Sequence, residues 1–236
     1  MPNTRKLYAV LIDADNIPAR FAAAVLKEIT SFGEPALRRV YGDWSAERLR
    51  NWADQTRALG LVAHQETANT KGKNASDIGL VIDAMDILHT GRFDGFVLVS
   101  SDSDFTALAN RIREQGLDVI GIGEAKAPES LRNVCNRFIL LENITEDADP
   151  VRGTEKPTAK MRPIEAVPLI RRAMDRIEGE DDWYPLGQVG QYITAENPDF
   201  DTRSYGKRKL SDLVAELKAF ETRSGAGNQL MIRRLD

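Results

Sequence analysis

One feature constrains this chain more than any other. Through its first 142 residues, short apolar runs rich in β-branched residues alternate with segments of helical period. The runs fall at 7–13, 37–41, 61–64, 95–100, 118–122 and 138–141, and each is nearly unbroken in apolar character. A strand exposed on one face alternates apolar with polar residues, so unbroken runs predict strands covered on both faces, a parallel sheet in a βαβ succession. Helices are expected at 19–31, 46–59, 77–89, 105–115 and 129–136, with Gly33, Gly60, Gly91 and Gly116 placed where four of them should stop.

In the third helix, Ile78, Val81, Ile82, Met85 and Leu88 recur at helical spacing and predict the buried face. Ser76 is expected to cap it, Asp77 lies in its first turn, and Asp83 and Asp86 are expected to point away from the stripe. At 145–163 the composition changes to prolines and charges, which predicts a flexible linker. Beyond it come helices at 164–177 and 186–194, a third with Leu210, Leu213, Val214 and Leu217 on one face, and a hairpin with arms at 220–223 and 229–235, the outline of a winged helix. The expected organisation is an α/β domain at 1–144, a linker at 145–162 and a small domain at 163–236.

The single cysteine, Cys135, rules out an intrachain disulfide framework and a four-cysteine zinc site. No window is apolar enough to span a membrane and the first residues lack a signal-peptide core, so a cytoplasmic protein with no membrane partner is expected. The net charge is −4. Residues 1–150 hold 17 basic and 22 acidic side chains, and 151–236 hold 15 and 14, so the acidity belongs to the first part.

That acidity is concentrated at the strand ends. The first strand ends in Asp13-Ala-Asp15-Asn16, the fourth is followed by Asp102 and Asp104, and Asp77 opens the helix after the third. In open parallel sheets ligands bind at the carboxyl ends of strands, where the strand order reverses. Taken singly, each acid is explained by a helix cap, a helix dipole or loop amides. Three segments delivering acids to one sheet edge instead suggest a cation site, because converging carboxylates repel unless a cation neutralises them, and oxygen donors select Mg²⁺ or Mn²⁺. Asp15, beyond the strand end, is set apart from the ligands, and Asn16 suits an orienting hydrogen-bond partner.

The segments LIDADN, GKNASD and VLVSSDSDF together resemble the NYN family of PIN-like ribonucleases, over residues 7 to about 142. Asp13 and Asn16 match the family's Asp-x-x-Asn, Lys71, Gly72, Lys73 and Asp77 match its lysine-rich loop and acid, and Ser101 stands where its last turn has glycine. The resemblance implies metal-dependent hydrolysis of RNA, with Asp13, Asp77, Asp102 and Asp104 holding Mg²⁺ or Mn²⁺. Lys71 and Lys73 would then offset phosphate charge. Lys126 and Arg132 are weaker candidates for the same task. Trp44, Tyr41 and Phe105 are placed to stack on bases or to fill the core. Residues 163–235 resemble the LOTUS (OST-HTH) domain, which implies RNA binding or a protein partner, with Lys207, Arg208 and Lys209 as a basic first turn of the third tail helix that suits phosphate.

Two other functions stay open. The protein is a non-catalytic RNA-binding regulator if the carboxylates are retained without turnover. Asp13-Ala-Asp15 also resembles the Asp-x-Asp of haloacid-dehalogenase-type phosphatases, although Asn16-Ile17 stand where Gly-Thr should follow. The sequence assigns no oligomeric state.

Overall fold

The computed structural model describes residues 5–65, 75–145, 160–177 and 182–235. The chain divides into two compact units, 1–151 and 152–236. Residues 146–159 of the expected linker lie outside the described residues.

The first unit is a six-stranded, all-parallel sheet of β1 (Leu7–Asp13), β2 (Glu34–Gly42), β3 (Val62–Gln65), β4 (Gly95–Val99), β5 (Asp118–Gly123) and β6 (Arg137–Leu140), in the order β3-β2-β1-β4-β5-β6. The helices are α1 (Ala22–Ile29), α2 (Arg50–Leu59), α3 (Ala75–His89), α4 (Thr106–Glu114), α5 (Glu129–Val134) and α6 (Leu141–Thr145). Period-two alternation sorts each strand between two cores. Tyr8, Val10 and Ile12 of β1 pack with Val25, Ile29, Trp52, Leu141 and Ile144 on one face. Ala9 and Leu11 pack with Leu80, Ala84, Leu108, Ile112 and Phe138 on the other. The six strands and five helices expected from the sequence are all present, and α6 is an addition that its five-residue length hid.

Three of the four expected glycine stops are left-handed: Gly60 at φ 63°, Gly91 at 64° and Gly116 at 78°. Gly33 is not. It is required by close approach instead, since a Cβ there would lie 2.4 Å from the Lys6 carbonyl oxygen and 2.7 Å from the Tyr8 ring.

The stripe expected to be buried on α3 is corrected in part: Leu88 is buried and Val81 and Met85 pack half-buried against the core. Ile78 and Ile82 are 60% and 59% exposed, and the inward face runs through Leu80, Ala84, Ile87 and Leu88. Apolar residues wrap around this helix, so periodicity alone supports two overlapping stripes. Side-chain bonds select between them: Asp83, expected to point away, instead accepts hydrogen bonds from Arg39 and from the Tyr41 hydroxyl on β2. Burial pushes the Asp83 carboxyl up, but Tyr41 and Arg39 outweigh it and hold it below the usual carboxylate range. The correction matters because Asp77 lies three residues before Leu80 and seven before Ala84, at the end of the true inward face. Nor does Ser76 cap the helix. Its Oγ donates to Asp15 Oδ2 at 2.7 Å.

The second unit packs α7 (Val167–Asp175), α8 (Leu186–Glu196) and α9 (Leu210–Glu216) against an antiparallel sheet of β7 (Tyr184–Pro185), β8 (Phe220–Ser224) and β9 (Leu230–Arg234), in the order β7-β9-β8. Ile170, Met174, Val189, Ile193, Leu213, Val214 and Ile232 form its core. This is a small winged-helix-like domain. No helix among the described residues is long and apolar enough to cross a membrane.

The tightness of the first core gives a direct test. A Cβ on Gly121 of β5 would lie 2.4 Å from the Phe138 ring and 2.9 Å from Cys135 Sγ, both fully buried. Gly121→Ala is expected to cost about 1–3 kcal/mol through overpacking. Urea titration should show a lower midpoint with an unchanged slope.

Candidate active site

The sheet order reverses between β1 and β4, so the cleft favoured for ligands lies beyond the carboxyl ends of these two strands. The acids are there. Asp13 closes β1 on the same side as Ala9 and Leu11, the face α3 covers, and Ser100 continues β4 on the same side as Phe96 and Leu98. Ser100 Oγ donates to Asp13 Oδ2 at 2.8 Å, and the backbone amides of Asp15 and Asn16 both donate to Asp13 Oδ1 at 3.1 Å. Asp13 is only 3% exposed. Burial pushes its carboxyl up to about 7, opposed by the Ser100 bond and reinforced by the charge of Asp77.

The other segments close around it. Asn16 Oδ1 accepts from the Ser101 amide at 3.1 Å. Ser100 Oγ accepts from the Asp102 amide at 3.1 Å, and Asp102 Oδ1 caps the short turn Ser103–Phe105 by accepting from the Asp104 amide at 2.9 Å. Asp77 is raised from its usual value first by burial and then by the charges of Asp102, Asp15 and Asp104. Asp13 and Asp77 therefore sense acids from segments far apart in sequence. Among the described residues, however, no three His, Cys, Asp or Glu side chains are grouped closely enough to hold a metal ion as they stand.

Asp15, two residues beyond the strand end, adds its charge to this group. Its carboxylate bridges two elements, pairing with Arg48 at 2.7 Å and accepting from Ser76 on α3. Arg48, ahead of α2, carried no signal that would have marked it. Ser101 needs no left-handed backbone, because Asn228 is the one non-glycine residue with positive φ among the described residues. Its Oγ instead accepts from the Glu124 amide at 2.8 Å, tying the β4 end to the β5 end.

The remaining candidates divide. Lys71 and Lys73 lie outside the described residues. Tyr41 and Phe105 are buried in the core and cannot stack on a base, while Trp44 donates its ring N–H to the His64 carbonyl at 2.8 Å. Lys126 is paired with Glu124 at 2.5 Å. Lys207, Arg208 and Lys209 are not the first turn of a helix. The turn Thr202–Tyr205 ends at left-handed Gly206, and α9 begins only at Leu210, so the three form the connecting loop, with Lys207 paired to Glu216 and Arg208 and Lys209 exposed.

Comparison with known proteins identifies both units. The model of the NYN domain matches residues 8–142, more than half of the chain. The chain belongs to the NYN family. This NYN protein also matches the OST-HTH/LOTUS domain at residues 162–232, so it carries an N-terminal NYN domain and a C-terminal OST-HTH/LOTUS domain, as in PIN-like ribonuclease family proteins. No curated protein matches it. Among solved structures, it is similar to a Vibrio parahaemolyticus protein of unknown function, at 19% identity and a TM-score of 0.49 over 58% of this chain and 94% of that one. An uncharacterised Nitrosomonas europaea protein matches at 30% identity and 0.28 over 38% and 90%. MurG of Acinetobacter baumannii matches at 13% and 0.37 over 87% and 68%.

The raised Asp13 carboxyl has a measurable consequence in metal-free protein. Its folded pKa, about 7, lies above the ordinary 3.8 of an unfolded chain, so the native state binds the extra proton between these values. The stability Asp13 contributes is full below about pH 4 and is lost as pH rises through 7. Asn is always neutral, keeps the acceptor for both amides and can turn its Nδ2 toward Ser100 Oγ. With chelator present, Asp13→Asn should therefore be more stable to unfolding than wild type at pH 8, by about 1–3 kcal/mol, and the gap should close toward pH 4.

Proposed function

We propose that this NYN protein is a divalent-cation-dependent ribonuclease of the cytoplasm, hydrolysing RNA phosphodiester bonds at the carboxylate group of the first unit while the second unit selects RNA. The reading is carried by one observation: at the strand-order reversal, acids from three separate segments converge on one edge, where burial raises Asp13 and Asp77 and the charges of neighbouring carboxylates add to it. Left alone, such crowding opposes folding, and a cation offsets it. The donors are all oxygen, which suits Mg²⁺ or Mn²⁺, with Asp13, Asp77, Asp102 and Asp104 as the residues that would hold the ion. When bound, the ion would lower the pKa of a coordinated water and shield the scissile phosphate.

The chain's own groups do the positioning. Ser100 and the Asp15 and Asn16 amides fix Asp13, and the Asn16–Ser101 bond holds the β1 and β4 ends in register. Arg48 holds Asp15 and screens part of the negative charge that would repel an RNA strand. Lys71 and Lys73 are assigned to phosphate, and Arg208 and Lys209 to RNA capture by the second unit. No nucleophile from the protein is needed, in keeping with Cys135, whose thiol is buried and pushed up to about 12.

A second reading, RNA binding without turnover, is favoured by the lack of a ready ion-holding group among the described residues. Cleavage of labelled RNA separates the two. The full chain should cleave in Mg²⁺ or Mn²⁺ and stop in chelator, and Asp102→Asn should slow single-turnover cleavage by roughly a hundredfold or more, about 3 kcal/mol of barrier, without lowering the metal-free melting temperature. Cleavage by Asp102→Asn at the wild-type rate removes this residue from the reaction.

The division of labour between the units is tested separately. Changing Lys207, Arg208 and Lys209 to Ala should weaken RNA binding and flatten its salt dependence by about one to two units of slope. Full loss of three contacts would give about two, and Lys207 is partly committed to Glu216. The rate at saturating RNA should stay the same, because the carboxylates are untouched. An unchanged salt slope in filter binding would point to a protein partner for this loop.

A further inference from the structure

Beyond the carboxylates, the loop that leaves β1 meets α2 at an open cleft of about 370 Å³, on the face of the sheet away from α3, lined by Pro18, Ala19, Arg20, Asn51, Asp54 and Gln55. Its volume falls within the range of small-ligand sites, roughly 300–1,000 Å³. Pro18 is two residues past Asn16, so the cleft begins within about 7 Å of chain from the acidic group. Two bonds fix α2 against that connecting loop: Arg48 pairs with Asp15 at 2.7 Å, and Trp52 Nε1, fully buried, donates to the Ile17 carbonyl at 3.2 Å. Asn51 and Gln55 flank Trp52 on α2, four residues apart and therefore on one helix face. Both residues line the cleft.

We infer that this cleft is a nucleobase-reading subsite, taking one unpaired nucleotide of the RNA strand that the carboxylate group acts on. The inference rests on the proposed function for its ligand class and goes beyond it in assigning specificity. An amide side chain offers a donor and an acceptor together, the pairing that matches a base edge, and single-stranded RNA is recognised on such edges. Asn51 and Gln55 supply two amides, and Asp54 adds an acceptor for an exocyclic amino group. Arg20, with its guanidinium 4.7 Å from the Phe21 ring centroid, brings a positive charge to the cleft. Sites built on a helix hold their geometry better than sites on loops, which suits base selection.

The test is photocrosslinking of the full chain to a short random-sequence RNA carrying thiouridine, in chelator so that cleavage plays no part. Trypsin cuts after Arg50 and Arg57, releasing residues 51–57 as one peptide with both amides. Crosslinks are expected on that peptide. The Asn51→Ala/Gln55→Ala variant should lose them about tenfold and, with Mg²⁺ or Mn²⁺, should flatten the base preference at one position beside the cut while melting as wild type does. Wild-type protein without crosslinks on 51–57, or a double variant that crosslinks there unchanged, overturns the subsite. If wild type crosslinks there and never cleaves with either ion, the subsite stands and the nuclease reading falls.

Discussion

The buried Asp13 carboxylate is the point on which the rest of the first unit's active edge depends. One of its oxygens accepts from Ser100 at the end of β4, and the other from two amides of the loop that leaves β1. These bonds join the two strands between which the sheet order reverses. Asn16 and Ser101 repeat the junction one residue further out, and Ser101 extends it to β5. A carboxylate is a costly group to bury, and its raised pKa measures that cost. The fold tolerates it through three donors, which leave the β1 and β4 ends little freedom to shift.

Around this anchor the charge is arranged unevenly. Asp77 lies in the overlapping fields of Asp102, Asp15 and Asp104, while Asp15 is also paired with Arg48 and Asp83 with Arg39. The balanced acids are structural ties: Asp15 links the β1 loop to the approach to α2 and to α3, and Asp83 sets the rotation of α3 over β2. The less balanced ones are what a cation would neutralise. Both classes occur in one stretch of sheet edge, and partner geometry, not residue type, separates them.

The second unit follows a simpler logic. Three short helices and three strands close over an apolar core, and its charged groups sit largely in exposed loops and on the hairpin. Arg208 and Lys209 project from a connection held by left-handed Gly206, a backbone conformation that a side chain would strain. The two units therefore separate the proposed chemistry, which needs buried acids, from the proposed capture of RNA, which needs exposed bases.

The sequence by itself determined the secondary-structure order, the parallel character of the sheet and the arrival of Asp13, Asp77, Asp102 and Asp104 at its carboxyl edge. Unbroken apolar runs and helical periods are local signals, and a strand's end is visible where its apolar run stops. The tertiary structure decided what depends on partners distant in sequence. It set the rotation of α3 through the Asp83 bonds to Arg39 and Tyr41, and thereby the inward placement of Asp77. It also drew Asp15 into the acidic group through Arg48, 33 residues away, and fixed Gly33 by its approach to Lys6 rather than by a helix end. In the second unit it moved Lys207, Arg208 and Lys209 from a helix into a loop, because a left-handed glycine ended the preceding turn. Periodicity cannot supply these outcomes, since each rests on hydrogen bonds or van der Waals contacts whose other half is elsewhere in the fold.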